Sequence, residues 1–151
     1  MAAKLITRKK HEMVVQFSVF TPNRLGHLHR LVGLLHKQEV QVLGLTVVDS
    51  TDTSIVRLVV DDPDRARALL THENVPFSEN TLVVVEANAS DVGRLMSVLH
   101  EAELDINYLY PFIPHPHGKT MIGLSSGDNE IAEQALGKSS FRTLRQVDIV
   151  R

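Results

Sequence analysis

From Met13 to Phe20 the chain alternates, with Val15, Phe17 and Val19 on one side and Gln16 and Ser18 on the other. A period of two predicts a strand. The period then lengthens: Leu28, Leu31, Val32 and Leu35 fall at i, i+3, i+4 and i+7, one apolar face on a helix of about three turns. Residues 41–49 are again strand-like, and the polar run Ser50 to Thr53 has turn composition. Ser54 to Val60 returns as the second arm of a hairpin. Asp62-Pro63 marks the next helix start, Asp as the N-cap and Pro at the first helical position, with Ala66, Leu69 and Leu70 on its buried side. Val75-Pro-Phe77 is expected to be no more than a short edge strand, because Pro76 has no N–H to give to a ladder. The order is strand, helix, strand, strand, helix, strand.

The second half repeats this order. At an offset of 64 residues Val19 meets Val83, Leu31 meets Leu95, His36 meets His100 and Leu45 meets Leu109. Past the hairpin the offset becomes 66, pairing Ala66 with Ala132 and Leu70 with Leu136. A shared apolar pattern in the same element order marks a duplication. The expected fold is α+β, two tandem ferredoxin-like βαββαβ units, each an antiparallel sheet with both helices on one face. The expected division is an N-terminal arm over 1–12, a first unit over 13–80 and a second over 81–151. Asn80-Thr81 leaves no room for a flexible linker, which predicts a rigid pair.

Composition narrows the function. Hydrophobic residues are 43% and charged residues 23%, typical of a globular chain. Sixteen basic against eighteen acidic side chains leave a net charge of −2, and there is no Trp. Neither the charge nor the aromatic content suits nucleic acid. The basic run Arg8-Lys9-Lys10-His11 reads as part of a solvated arm. The absence of cysteine excludes disulfides, thiolate metal sites and a cysteine nucleophile. No apolar run approaches membrane-spanning length and no signal-peptide core opens the chain, so a cytoplasmic protein is expected.

The chemistry concentrates in Thr21-Pro-Asn-Arg-Leu-Gly-His-Leu28, between the first strand and the first helix. A glycine at such a turn leaves backbone N–H groups facing whatever lies before the helix, a place for a carboxylate. This loop, Asn23-Arg-Leu-Gly26-His-Leu28, together with the doubled element order, resembles the ACT domain, a small regulatory module of amino-acid metabolism. The likeness covers residues 13–150 and is nearest to free-standing tandem ACT proteins of bacteria; Leu25 stands where that family often has Pro. The resemblance implies an amino acid or similar small effector, bound where ACT units meet. It selects Asn23, Arg24, Leu25, Gly26, His27 and Leu28 of the loop, with Gln41 and its repeat partner Asp105 at strand starts. It implies no cofactor, no metal and no catalysis. The second copy of the loop, Val85 to Val92, has Ser90 in the glycine position and Asp91 beside it, and is expected to be degenerate.

Other features carry less. Gly123-Leu-Ser-Ser-Gly127 has the spacing of a hydrolase nucleophile elbow, but the triad His must follow the Ser and the last histidine is His117. Pro114-His-Pro-His-Gly118 offers two histidines with no third ligand adjacent, and reads as a stiffened hairpin tip. Tyr108, Tyr110 and Phe112 alternate along one strand on the face away from Leu109. Left in water, such a stripe would be an apolar patch, so it predicts a homodimer or, failing that, a pocket wall. Two readings of function follow. One is an amino-acid-binding regulatory protein. The other is a regulatory subunit of an amino-acid biosynthetic enzyme such as acetolactate synthase.

Overall fold

The alternating and helical periods take the expected shapes in a computed structural model, which describes residues 12–22, 24–114 and 120–150. The elements are β1 (Val14–Pro22), α1 (His27–Lys37), β2 (Val42–Asp49), β3 (Thr53–Val60), α2 (Pro63–His72), β4 (Phe77–Glu86), α3 (Val92–Glu101), β5 (Ile106–Pro111), β6 (Met121–Ser126), α4 (Asn129–Lys138), β7 (Thr143–Leu144) and α5 (Gln146–Ile149). The N-terminal arm up to residue 11, Asn23 and the tip His115 to Lys119 lie outside the described residues. The chain divides into two compact units, residues 15–80 and residues 81 onward together with Val14.

In the first unit the strands lie in the order β2-β3-β1-β4, all neighbours antiparallel where registered. Phe17 and Val19 of β1 and Val56, Leu58 and Val60 of β3 pack with Leu31 and Leu35 of α1 and Ala66 and Leu70 of α2. In the second, the order β5-β6-β4-β7 repeats the plan. Val83, Val85 and Leu124 there meet Leu95, Leu99, Ala132 and Leu136. Both cores are built on the faces that the apolar spacing selects, except that Leu28 and Val92 at the helix starts are exposed, and both units are ferredoxin-like.

The duplication extends to backbone detail that no hydropathy pattern carries. Glu39 and Glu103, 64 apart, both follow a helix with φ near +58° and +55°, and the next N–H, of Val40 and Leu104, returns to Leu35 O and Leu99 O at 3.0 and 3.2 Å. Asn74 and Ser140, 66 apart, do the same at φ +54° and +65°. These are left-handed helix stops. The bulge between Val42 and Gly44 recurs between Ile106 and Tyr108. Asp62 caps α2 through Arg65 N–H at 3.1 Å, and Asp128 caps α4 through Ile131 N–H at 3.1 Å.

One ion pair is repeated with its signs exchanged. Arg67 of α2 holds Glu79 of β4, and at the matching places Glu133 of α4 holds Arg145. Hydrogen bonds to Glu79 first, and to Asp64 second, raise the Arg67 pKa above the ordinary guanidinium value.

Three expectations need correction. Val75 and Pro76 are not strand; β4 starts at Phe77 and runs unbroken to Glu86. The connection Asn80-Thr81 lies within this strand, which carries polar residues where one face turns away from the core. The chain also ends in a short helix, α5, that the periodicity does not announce. Finally, Tyr110 and Phe112 are only 5% and 4% exposed within the single chain. Phe112 lies against Gly123, where an added Cβ would sit 2.8 Å from the ring. Tyr108 is half-buried, so two of the three rings of the stripe are covered within the single chain.

Candidate functional site

β1 ends at Pro22, whose carbonyl accepts the Arg24 N–H at 2.8 Å. The chain then turns through Gly26 at φ +89°, ψ −13°, a left-handed conformation that glycine enters without a Cβ penalty. Glycine is required here by its backbone angle, since a Cβ would meet nothing within 4 Å. The Gly26 carbonyl accepts Arg30 N–H at 2.9 Å and α1 begins. Among the described residues no side chain caps this helix start, and no acidic residue lies in its first turn. The positive end of the helix dipole is therefore left without an anion from its own chain segment.

A groove of about 160 Å³ runs beside this turn. Phe20, Leu31, Leu34 and Val75 give it apolar walls, while His27 and Arg30 stand on the α1 side and Glu73 and Asn74 on the turn that follows α2. Arg30 is exposed and makes no side-chain ion pair or hydrogen bond among the described residues. Glu73 has the His72 ring 3.6 Å away.

The residues selected from sequence are only partly gathered here. His27 lines the groove. Arg24 and Leu25 are exposed on the loop, Leu25 fully, and Leu28 is 39% exposed. Gln41 opens β2 at the other end of α1, whose eleven residues span about 16 Å. Its N–H donates to Asp61 Oδ1 at 2.8 Å and its carbonyl accepts Asp61 N–H at 3.1 Å. Asp105 holds the matching place in the second unit, its carbonyl accepting Gly127 N–H at 2.9 Å. Asn23 lies outside the described residues. Arg30, Glu73 and Asn74 escaped the sequence reading because the groove joins segments distant along the chain. The usable signal was the repeat itself, which aligns Arg30 with Arg94.

The second loop is built otherwise. A single 3-10 turn, Ala89–Asp91, leads into α3, and Asp91 Oδ2 accepts the Asn88 N–H at 2.9 Å. Arg94 lies 3.7 Å from Asp91, donates from Nη1 to Ser139 O at 2.6 Å, and sits 3.8 Å over the centre of the Phe141 ring. Ser125, of the elbow-like motif, lies inside β6 opposite Tyr108 rather than at a strand-to-helix turn. Its Oγ accepts from Asn107 Nδ2 at 3.4 Å. Among the described residues no cluster of three or more His, Asp or Glu is placed to hold a metal, and no helix is long and apolar enough to cross a membrane.

Two duplicated βαββαβ units with this loop define a class of small regulatory folds. The chain belongs to the ACT domain pair family, whose profile matches residues 12–138. Among solved structures, protein BT0572 from Bacteroides thetaiotaomicron is similar at 19% identity and a TM-score of 0.81, over 92% of this chain and 96% of its own. The regulatory subunit of aspartate kinase from Thermus thermophilus is similar at 12% identity and a TM-score of 0.58, over 83% of this chain and 91% of its own. These likenesses are of fold. A search of curated proteins returned no match.

Proposed function

We propose that this chain is a non-enzymatic regulatory protein that binds an amino acid at the β1–α1 loop of its first unit, Arg24 to Leu28. One observation carries the reading: among the described residues Gly26 opens α1 with no capping side chain and no acidic residue, whereas the carboxylate of Asp91 stands at the start of α3 in the second unit. A carboxylate at the first helix start gains roughly 0.3–1 kcal/mol from the dipole, more where partly buried. Micromolar binding needs roughly 8 kcal/mol, so the groove walls supply most of it.

A melting screen of the full chain against the common amino acids tests this. A ligand at a hundred times its Kd adds roughly 2.7 kcal/mol, about 5–10 °C in Tm for a chain of this size. Gly26→Val removes the shift and Ser90→Val retains it. A flat screen rejects free amino acids as effectors.

The likeness to an aspartate kinase regulatory subunit favours a second reading, in which the chain grips a biosynthetic enzyme. That reading expects one catalytic partner to co-purify in stoichiometric amount from native cells, and a chain recovered alone rejects it.

A further inference from the structure

The two units place corresponding residues around the same groove, and the second fills it with its own side chains. By the 64 and 66 offsets, Arg30 corresponds to Arg94, His27 to Asp91, Glu73 to Ser139 and Val75 to Phe141. Arg94 is held in three ways: a carboxylate at Asp91, the Ser139 carbonyl, and an aromatic ring beneath its guanidinium. Arg30 has the imidazole of His27 where Asp91 would be and the small Val75 where Phe141 would be. It is left without a side-chain partner among the described residues, beside an open groove of about 160 Å³.

We infer that the first groove takes an aromatic α-amino acid, which supplies from outside the two groups that the second unit supplies from within. The ligand carboxylate pairs with the Arg30 guanidinium, as Asp91 faces Arg94, in a charge-assisted contact. The ligand ring occupies the space of the Phe141 ring, against Val75 and Leu34 and under the guanidinium, where cation–π attraction adds to apolar burial. The ammonium meets Glu73, the only carboxylate among the groove-lining residues. This inference rests on the reading above and adds the ligand class and the residue that recognises it.

Isothermal titration of the full chain with L-phenylalanine, L-tyrosine, L-leucine and glycine tests it. Phenylalanine or tyrosine binds at least about tenfold more tightly than leucine. Arg30→Gln, a change at an exposed side chain, weakens that binding about ten- to a hundredfold, the loss expected for one hydrogen bond to a charged group. The double variant His27→Asp/Val75→Phe builds the second unit's plug in the first groove. It abolishes binding while the circular dichroism spectrum stays that of the unaltered chain. Leucine binding as tightly as phenylalanine, or aromatic binding indifferent to Arg30→Gln, overturns the inference and leaves the amino-acid-binding reading standing. No heat from any of the four, with no Tm shift in the wider screen, overturns both.

Discussion

The starts of α1 and α3 are the same turn built twice, with opposite solutions to the same electrostatic problem. Each helix exposes N–H groups at its first turn. The second unit places a carboxylate at the helix start: Asp91 precedes α3, accepts the Asn88 N–H of the preceding turn and lies near Arg94, which in turn lies over Phe141. The first unit supplies no carboxylate there among the described residues. Gly26 bends the chain through φ +89° and brings neither side chain nor charge, and Arg30 has no side-chain partner among the described residues beside a groove. One copy uses these side chains in packing within its own unit. The other leaves its arginine exposed beside an open groove.

Several substitutions break or sharpen this contrast. The largest effect is expected at Phe141, 6% exposed and part of the second core. Phe141→Ala costs about 3–5 kcal/mol, read as a Tm fall of about 10 °C, while Val75→Ala at the matching place costs about 1 kcal/mol. Equal losses would mean that both grooves are packed alike. Next is Gly26→Val, which forces a branched side chain into the left-handed region at a cost of about 1–2 kcal/mol. Ser90→Val stays within about 0.5 kcal/mol, and urea unfolding of the two variants decides. Asp91→Ala loses a helix-start contact worth about 1 kcal/mol, whereas His27→Ala leaves stability unchanged in the ligand-free chain. A stability loss at His27 as large as at Asp91 would erase the distinction between the loops.

The smallest effect concerns the ion pair repeated with exchanged signs. Arg67→Met costs about 0.5 kcal/mol, since the pair is largely in water. The exchange Arg67→Glu/Glu79→Arg, which copies the polarity of Glu133 and Arg145, recovers that loss in a double-mutant cycle. Failure to recover would show that the contact depends on the neighbouring Asp64, which also bonds Arg67.

Much of the fold was legible because its signals are local. The spacing of Leu31 and Leu35, the cap Asp62, and the turn at Ser50 to Thr53 each act over a few residues, and the structure uses them as read. Leu28, on the same spacing, is exposed at the helix start, because its place depends on what packs there rather than on its period. The site was less legible. His27 lies in the groove as selected, but Arg30 and Glu73 come together only when α1 packs beside the turn after α2.

The sequence by itself determined two βαββαβ units, their element order, the faces of their cores, and the loss of the glycine in the second loop. Those are matters of periodicity and of what each residue allows its own backbone. Tertiary structure alone decided that Tyr110 and Phe112 are buried, that Arg94 rests on Phe141, and that Arg30 does not rest on Val75 in the same way. Each depends on which side chains arrive from distant segments, and periodicity carries no record of that arrival.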